Sequence, residues 1–431
     1  MQLWIKGGRI IDPENRDAVA DILIADGKIA EIVDAGSADT LAGGMPPADI
    51  RTIDASGKFV TPGLVDMHVH LREPGYEHKE TVESGCRAAA RGGFTDICCM
   101  PNTNPANDSA EVTEFIKKKS KDANCARVFP VGAITKALQG EALCDFGELK
   151  AAGVVAVSDD GMPVMNDRIM RRALESAKRL SLLVICHCED LKLTAGGVMN
   201  AGHLADQMGL PGISNASESV MVERDIGLCE RFETPLHIAH VSTAESVQAI
   251  RKAKSRGIMV TCETAPHYFT LTEEAVREYE SNAKMNPPLR SRKDREAIRE
   301  GLADGTIDAI ATDHAPHAVF EKATGFNQAP NGIIGLETSV ALGLKLVDNG
   351  VIGVVDLIEK MSTAPAKILG LAHGLKVGHR ADITIIDPDA SYRVNAESFE
   401  SLSRNTPFDG WPMRGKPVMT IVAGNIVFEE G

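Results

Sequence analysis

The sequence predicts an α/β protein in which a (β/α)8 TIM barrel adjoins a small β-sandwich domain formed by both chain ends. Apolar strand candidates alternate with helix-like segments between residues 59 and 370, and a barrel of this kind typically needs about 250 residues or more. Short strands separated by turns precede and follow that stretch. A doubly wound sheet is the alternative, but it requires a glycine-rich phosphate turn after the first strand. Asp66-Met67-His68-Val69-His70 stands at that position instead.

The two chain ends carry hairpin patterns. Asp26-Gly27 lies between two apolar segments, which is a typical signal for a tight β-turn. Val418–Val422 and Ile426–Phe428 flank Gly424-Asn425 and predict a second hairpin near the C-terminus. We therefore expect residues 1–58 and 371–431 to form the β-sandwich and residues 59–370 to form the barrel.

Eight short apolar segments are the expected barrel strands. Helix-like segments such as Glu80–Arg91, Asp167–Leu180 and Ala244–Arg256 lie between them. The predicted strands are Phe59–Val65, Thr95–Met100, Arg127–Val131, Val154–Ser158, Leu182–Cys186, Pro235–Ala239, Ile258–Cys262 and Ile307–Ala311.

Composition excludes several classes of function. The chain has 431 residues, a net charge of −14 and 43% apolar residues, which is typical of a soluble globular protein. Its longest basic run is Lys117–Lys119 and only 4% of its residues are aromatic, so we expect no nucleic acid partner. No apolar stretch approaches the roughly 20 residues of a membrane span. Nine cysteines without disulfide spacing indicate a cytoplasmic protein.

Histidine and aspartate cluster at the predicted strand ends, where TIM barrels carry their chemistry. Imidazole and carboxylate are ligands that suit Zn²⁺, and so many polar groups at a barrel mouth would be costly without a function. We therefore predict a divalent metal site. His237 is expected to face the helix layer and His314 to point away from the mouth, while Cys186 and Cys188 are expected to pack in the core. The residues at the five strand ends are His68 and His70, Asp159 and Asp160, His187, His240, and Asp313.

Five motifs together resemble the dihydroorotases of the amidohydrolase superfamily, in particular the class I bacterial type, over nearly the whole chain. They are His68-Val69-His70-Leu71-Arg72-Glu73-Pro74-Gly75, Met100-Pro101-Asn102-Thr103, Asp159-Asp160-Gly161, Lys284-Met285-Asn286-Pro287-Pro288-Leu289-Arg290 and Ala311-Thr312-Asp313-His314-Ala315-Pro316-His317.

The resemblance implies one or two zinc ions. His68, His70 and Asp313 would hold one ion, His187 and His240 would hold a second, and Asp160 would bind or bridge them. Many relatives use a carboxylated lysine on strand four, but Val154–Val157 contains no lysine. Asp159 stays open as an alternative to Asp160, because adjacent strand residues face opposite sides.

The resemblance also implies the substrate contacts and the reaction. Arg72, Asn102 and His317 would bind the substrate carboxylate, and Asn286 would contact the ring. Asn331 and Gly332 would supply backbone contacts, although Pro330-Asn331-Gly332 replaces the Pro-Phe-Gly of some relatives. The implied reaction is the reversible cyclisation of N-carbamoyl-L-aspartate to L-dihydroorotate and water in de novo pyrimidine biosynthesis. Metal-activated hydroxide would attack the ring, with Asp313 as general base and then general acid.

Two other functions stay open at this stage. Another cyclic amidohydrolase, such as an allantoinase or a hydantoinase, would share the metal ligands but act on substrates without the carboxylate. A non-catalytic partner subunit of aspartate transcarbamoylase would be expected to have lost ligands, whereas this chain keeps all six. We expect a small-molecule substrate, no membrane partner and a homodimer, with association with aspartate transcarbamoylase as a further option.

Overall fold

A computed structural model describes residues 2–35, 50–194 and 196–431. Its strands are β1 Gln2–Asp12, β2 Arg16–Ala25, β3 Lys28–Asp34, β4 Ile50–Asp54, β5 Phe59–Pro62, β6 Leu64–Val69, β7 Phe94–Cys99, β8 Arg127–Gly132, β9 Ala156–Ser158, β10 Leu183–Cys186, β11 Met199–Asn200, β12 Gly212–Ile213, β13 Leu236–Ile238, β14 Val260–Thr264, β15 Ala309–Ile310, β16 Ile383–Arg393, β17 Pro412–Val422 and β18 Asn425–Glu429.

Helices cover most of the connections between strands. They are α1 Val82–Arg91, α2 Ala110–Ala123, α3 Phe146–Ala152, α4 Asp167–Leu180, α5 Leu191–Thr194, α6 His203–Met208, α7 Ala216–Phe232, α8 Ala244–Ser255, α9 Pro266–Thr270, α10 Ala275–Tyr279, α11 Arg292–Ala303, α12 Val319–Lys322, α13 Ser339–Asp348, α14 Val354–Ile358 and α15 Ala364–Ile368. Within the described ranges, no helix is both long enough and apolar enough to cross a membrane.

The two chain ends combine into one β unit, as predicted, and its strands form a single eight-stranded sheet where a β-sandwich was expected. Its order is β18-β17-β16-β5-β1-β2-β3, and β4 pairs with β1. The hairpin at Asp26-Gly27 is confirmed, because β2 and β3 pair antiparallel with Ala25 opposite Lys28. Both turn residues have positive φ, 51° and 75°, as a type I′ turn requires. The hairpin of β17 and β18 is confirmed as well.

The second eight-stranded sheet is parallel and forms the barrel. Its order is β15-β14-β13-β10-β9-β8-β7-β6. Closure between the first and last strands comes from a parallel bridge of Val69 with His314, and His70 N donates to His314 O at 2.9 Å. Small and medium side chains fill the interior, among them Ala156, Ala309 and Ala311. The predicted (β/α)8 architecture is confirmed.

One predicted strand is divided between the two sheets. Residues 59–62 of the expected strand Phe59–Val65 form β5, which pairs with β1 and β16 of the end sheet. The barrel strand β6 begins only after Gly63, where a Cβ would lie 2.2 Å from Thr95 Oγ1. The sequence does not reveal this division because both strands are buried and read as one apolar run. The exact domain limits stay predictions.

Amphipathic patterns explain how the barrel helices pack. In α4 the buried residues Ile169, Ala173 and Ala177 recur every four positions, so one face of the helix covers the strands. Asn166 caps this helix by accepting from the backbone N–H groups of Arg168 and Ile169. Such helices hold the strands in register and leave the strand ends free to carry the polar residues described next.

Candidate active site

The six predicted metal ligands meet at the carboxyl ends of the barrel strands. Each is at most 6% exposed. Their donor atoms form two groups that share Asp160: His68 with His70 and Asp160, and Asp160 with His187 and His240. In each group the donor atoms lie within 4.8 Å of one another. Tertiary structure therefore brings together residues separated by more than 200 positions in the chain.

Asp160 lies at the centre of the group. Its Oδ1 lies 3.3 Å from His68 Nε2, 3.5 Å from His187 Nδ1 and 3.4 Å from His240 Nε2. Its Oδ2 lies 3.5 Å from His70 Nε2. Asp313 completes the ring, with Oδ1 3.1 Å from His70 Nε2 and 3.7 Å from His68 Nε2. One carboxylate is thus placed to serve both groups.

The donor set fits a divalent cation. His68 Nε2 and Asp160 Oδ1 are buried, face each other, and have no hydrogen-bond partner among the described residues. Leaving buried polar atoms unpaired is costly, and a bound cation would satisfy both atoms. Imidazole nitrogen and carboxylate oxygen are ligands of Zn²⁺ and related metals.

Asp159 has a different role from its neighbour. Its Oδ1 accepts from the backbone N–H groups of Ile134 and Thr135 at 2.8 and 2.9 Å, and its Oδ2 contacts the Thr135 hydroxyl. Burial raises the pKa of Asp159 to about 6, against the lowering effect of these hydrogen bonds. Asp159 therefore anchors the loop after β8, and Asp160 alone faces the cluster.

Three site residues adopt the left-handed backbone conformation. The φ angles are +63° at Arg72, +36° at His240 and +47° at Asp313. For a residue with a Cβ, such a conformation costs on the order of 1–3 kcal/mol and persists only where the surroundings enforce it. At Asp313 the enforcement comes from neighbouring contacts, since Thr312 N donates to Asp66 and His314 N donates to Thr312 Oγ1.

Two buried carboxylates orient the histidines of the cluster. Glu263 accepts from His68 Nδ1 at 2.7 Å, which directs His68 Nε2 toward Asp160. Glu189 lies 3.0 Å from His187 Nε2, which leaves His187 Nδ1 for the cluster. Burial by itself would raise the pKa of Glu263, but the adjacent rings of His237 and His68 lower it to about 2. Carboxylate–histidine pairs of this kind fix the ring and its tautomer at metal sites.

The prediction for His237 was wrong. Its Nε2 lies 3.3 Å from Glu263 Oε2 and its Nδ1 lies 2.8 Å from Thr261 Oγ1, so the ring contacts the carboxylate that holds His68 and does not face the helix layer. His314 does point away from the mouth, toward Glu80 and Gly335 N. Sequence reasoning missed Glu263, although it directly follows a predicted strand.

A cavity of about 260 Å³ opens beside the cluster. Arg72 lies at one wall, where its Nε donates to Pro316 O and its Nη2 lies 3.5 Å from His317 Nε2. Burial and the positive charge of Arg72 are the largest influences that lower the pKa of His317, to about 2. A neutral His317 therefore donates to Asn331 O at 2.9 Å. The predicted substrate residues that line the cavity are Arg72, Asn102, Asn286, His317 and Asn331.

Other predicted substrate residues have further contacts, among them Asn286, whose Nδ2 donates to Glu189 Oε2 at 3.0 Å. Asn102 Oδ1 lies 2.8 Å from His70 Nδ1, so it also orients a cluster histidine. Gly332 lies behind Asn331, and a Cβ there would approach Ala315 O to 2.4 Å and His317 Cδ2 to 2.7 Å. Only a residue without a side chain fits this close approach.

The chain is similar to known proteins over its full length. Residues 57–246 match a family model described as dihydro-orotase-like. A dihydroorotase of Syntrophus aciditrophicus is 53% identical over 100% of both chains, and one of Geotalea daltonii is 56% identical over 99% of both. Among solved structures, an L-hydantoinase (dihydropyrimidinase) from Arthrobacter aurescens aligns with a TM-score of 0.87 at 30% identity, covering 100% of this chain and 96% of that one.

Proposed function

The chain belongs to the dihydroorotase family of amidohydrolases, and from this premise we propose that the barrel-mouth site interconverts N-carbamoyl-L-aspartate and L-dihydroorotate. The observation that carries the proposal is the placement of the six-ligand cluster and the Arg72–His317 wall in one cavity. A cyclic amide that bears a carboxylate needs both features, one for the reacting bond and one for recognition.

The chain's own residues have distinct roles in this proposal. His68, His70 and Asp313 would hold one metal ion and His187 and His240 a second where two are bound, and Asp160 would contribute its carboxylate to the same site. A bound divalent cation supplies Lewis acidity and makes coordinated water more acidic. In hydrolysis Asp313 takes the proton of the attacking water and delivers it to the ring nitrogen, which is general base and then general acid catalysis. In cyclisation it takes a proton from the ureido nitrogen.

Substrate recognition is assigned to the part of the cavity lined by Arg72 and His317. Arg72 would bind the carboxylate, because its planar guanidinium can donate to both oxygens at once. Asn102 and His317 would complete that pocket, Asn286 would contact the ring, and Asn331 and Gly332 would offer backbone groups. Hydantoin and allantoin lack the carboxylate, so the buried Arg72 favours dihydroorotate over them.

A substrate panel tests the proposal. Purified protein is assayed with dihydroorotate, N-carbamoyl-aspartate, hydantoin and allantoin, and its metal content is measured. We expect turnover of the first two compounds. Asp313→Asn is expected to abolish turnover while retaining most of the metal, since five other ligands remain. Faster turnover of hydantoin than of dihydroorotate would overturn the assignment, and an active Asp313→Asn variant would overturn the role of that residue.

Finer points of the proposal have separate support. Zinc is proposed because imidazole and carboxylate donors suit it. A cytoplasmic location agrees with nine free cysteines. A role in de novo pyrimidine biosynthesis, a homodimer and an association with aspartate transcarbamoylase are proposed from the family resemblance.

A further inference from the structure

Three buried cations near the cavity form no direct ion pair with an acidic side chain among the described residues. Arg72, Lys284 and Lys322 are 9%, 5% and 5% exposed, and within the described ranges no Asp or Glu oxygen lies within 4.0 Å of their nitrogens. Nearby Lys79, by contrast, pairs with Glu321 at 3.0 Å. Burying a charge without a counterion is costly, so these residues call for an explanation.

The two lysines hold one wall of the cavity through its backbone. Lys284 Nζ donates to Ala329 O at 2.7 Å, and Lys322 Nζ donates to Pro330 O at 2.9 Å and Gly332 O at 3.1 Å. Asn331 O accepts from His317, as described above. Four successive carbonyl groups of this segment, residues 329–332, thus accept hydrogen bonds from buried side chains. We call this segment the wall loop.

The charge of the lysine pair extends into the site. The pKa of Lys322 falls to about 7, because burial disfavours its charge and the charge of Lys284 disfavours it further. Lys322 also contributes to the lowered pKa of His317, after burial, Arg72 and Lys79. When Lys322 is protonated, its positive charge acts on the wall where the substrate carboxylate is expected, and a bound anion would favour that protonated form. An anion bound there would be the counterion that the three cations lack.

We propose that Lys284 and Lys322 determine specificity from behind the wall loop, by holding that loop in place and by supplying positive charge that selects a cyclic amide bearing a carboxylate over a neutral one. The inference rests on the proposed function and deepens it. Neither lysine lines the cavity, so both are positioning residues, whereas Arg72 is the contact residue.

The test compares a charged ligand with a neutral one of nearly the same shape. The probes are orotate, the planar analogue of dihydroorotate, and its methyl ester, and the affinity of the purified protein for each is measured by calorimetry. In Lys322→Met and in Lys284→Met we expect about tenfold weaker orotate binding, which corresponds to about 1.4 kcal/mol. Ester binding should change by less than about threefold, because only the anion interacts strongly with the lost charge.

Lys360→Met is the matched control. Lys360 is also buried and donates to a backbone carbonyl, Ile307 O at 2.7 Å, but Ile307 precedes β15 and so lies at the opposite end of the strand from Asp313. Its loss should leave the ratio of the two affinities unchanged. Lys322→Gln, which keeps N–H donors and removes the charge, gives the same comparison if Lys322→Met does not fold.

Two outcomes would overturn the inference. Equal weakening of orotate and ester would mean that the lysines only support the loop. Unchanged affinities for both orotate and its ester in the Lys284 and Lys322 variants would mean that these lysines play no part in recognition. The proposed function is judged separately, since wild-type protein that does not turn over dihydroorotate would refute it before any variant is made.

Discussion

The contact between Glu263 and His68 should control metal affinity. Glu263→Gln keeps the size of the side chain and removes its negative charge. The affected contacts are the 2.7 Å hydrogen bond to His68 Nδ1 and the 3.3 Å contact with His237 Nε2, and all three residues are at most 1% exposed. Because these side chains are shielded from water, no water can replace the lost hydrogen bond, and its loss should weaken metal binding directly.

The magnitude follows from the type of hydrogen bond. A hydrogen bond to a charged group contributes about 1.5–3 kcal/mol, and loss of a carboxylate that orients a metal-bound histidine typically costs about 10–100-fold in metal affinity or activity. These two ranges agree, because a 10–100-fold change in affinity corresponds to about 1.4–2.8 kcal/mol. We therefore expect Glu263→Gln to weaken binding of Zn²⁺ by one to two orders of magnitude.

The assay is competition for Zn²⁺ between the protein and a chelator of known affinity. Glu80→Gln is the control, because Glu80 is a fully buried carboxylate that contacts His314, a histidine outside the cluster. That variant should lose thermal stability but keep its metal affinity. Unchanged affinity in Glu263→Gln, or an equal loss in Glu80→Gln, would refute the idea that Glu263 acts by orienting His68.

Three further predictions concern recognition, packing and pH. Arg72→Ala should raise KM for dihydroorotate much more than it lowers kcat, because it removes the proposed carboxylate contact; steady-state kinetics checks this. Gly332→Ala should raise KM and lower Tm, since its Cβ would lie 2.4 Å from Ala315 O and push the wall loop out of place. Burial raises the pKa of Glu337 to about 7 from 4.5, so its ionisation destabilises the folded state as pH rises through 7. In the wild type this should lower the free energy of unfolding by up to about 3 kcal/mol between pH 4.5 and 8. Glu337→Gln should remove that pH dependence, and denaturant unfolding at several pH values measures it.

The sequence carried enough information for the fold class and the cluster. Strand alternation and helical periodicity are local patterns, so the barrel and the hairpin at Asp26-Gly27 could be predicted directly. His68 and His70 were predictable because residues two apart on a strand face the same side. Each of the other candidate ligands lies at the end of a different predicted strand. A single such residue is a weak signal, and the metal site could be predicted only from all of them in combination.

Other features depended on contacts between distant segments. The split of residues 59–65 between two sheets follows from the partners of β5, one of which is β1 and the other of which, β16, lies more than 300 residues away. The choice of Asp160 over Asp159 follows from Thr135 and Ile134, which hold Asp159 away from the cluster. His237 faces the site, where its Nε2 lies 3.3 Å from the Glu263 carboxylate on the neighbouring strand.

The sequence by itself determined the architecture and the group of polar residues at the strand ends, because periodicity, residue type and spacing are properties of the chain, and its motifs carried the resemblance to the family. Only the tertiary structure decided what surrounds those ligands: Glu263 behind His68, Glu189 beside His187, and the unpaired lysines behind the wall loop. The physical reason is that orientation, burial and charge balance are set by neighbours in space. A lysine such as Lys322 looks like a surface residue in the sequence, and its missing counterion becomes visible only when the chain is folded.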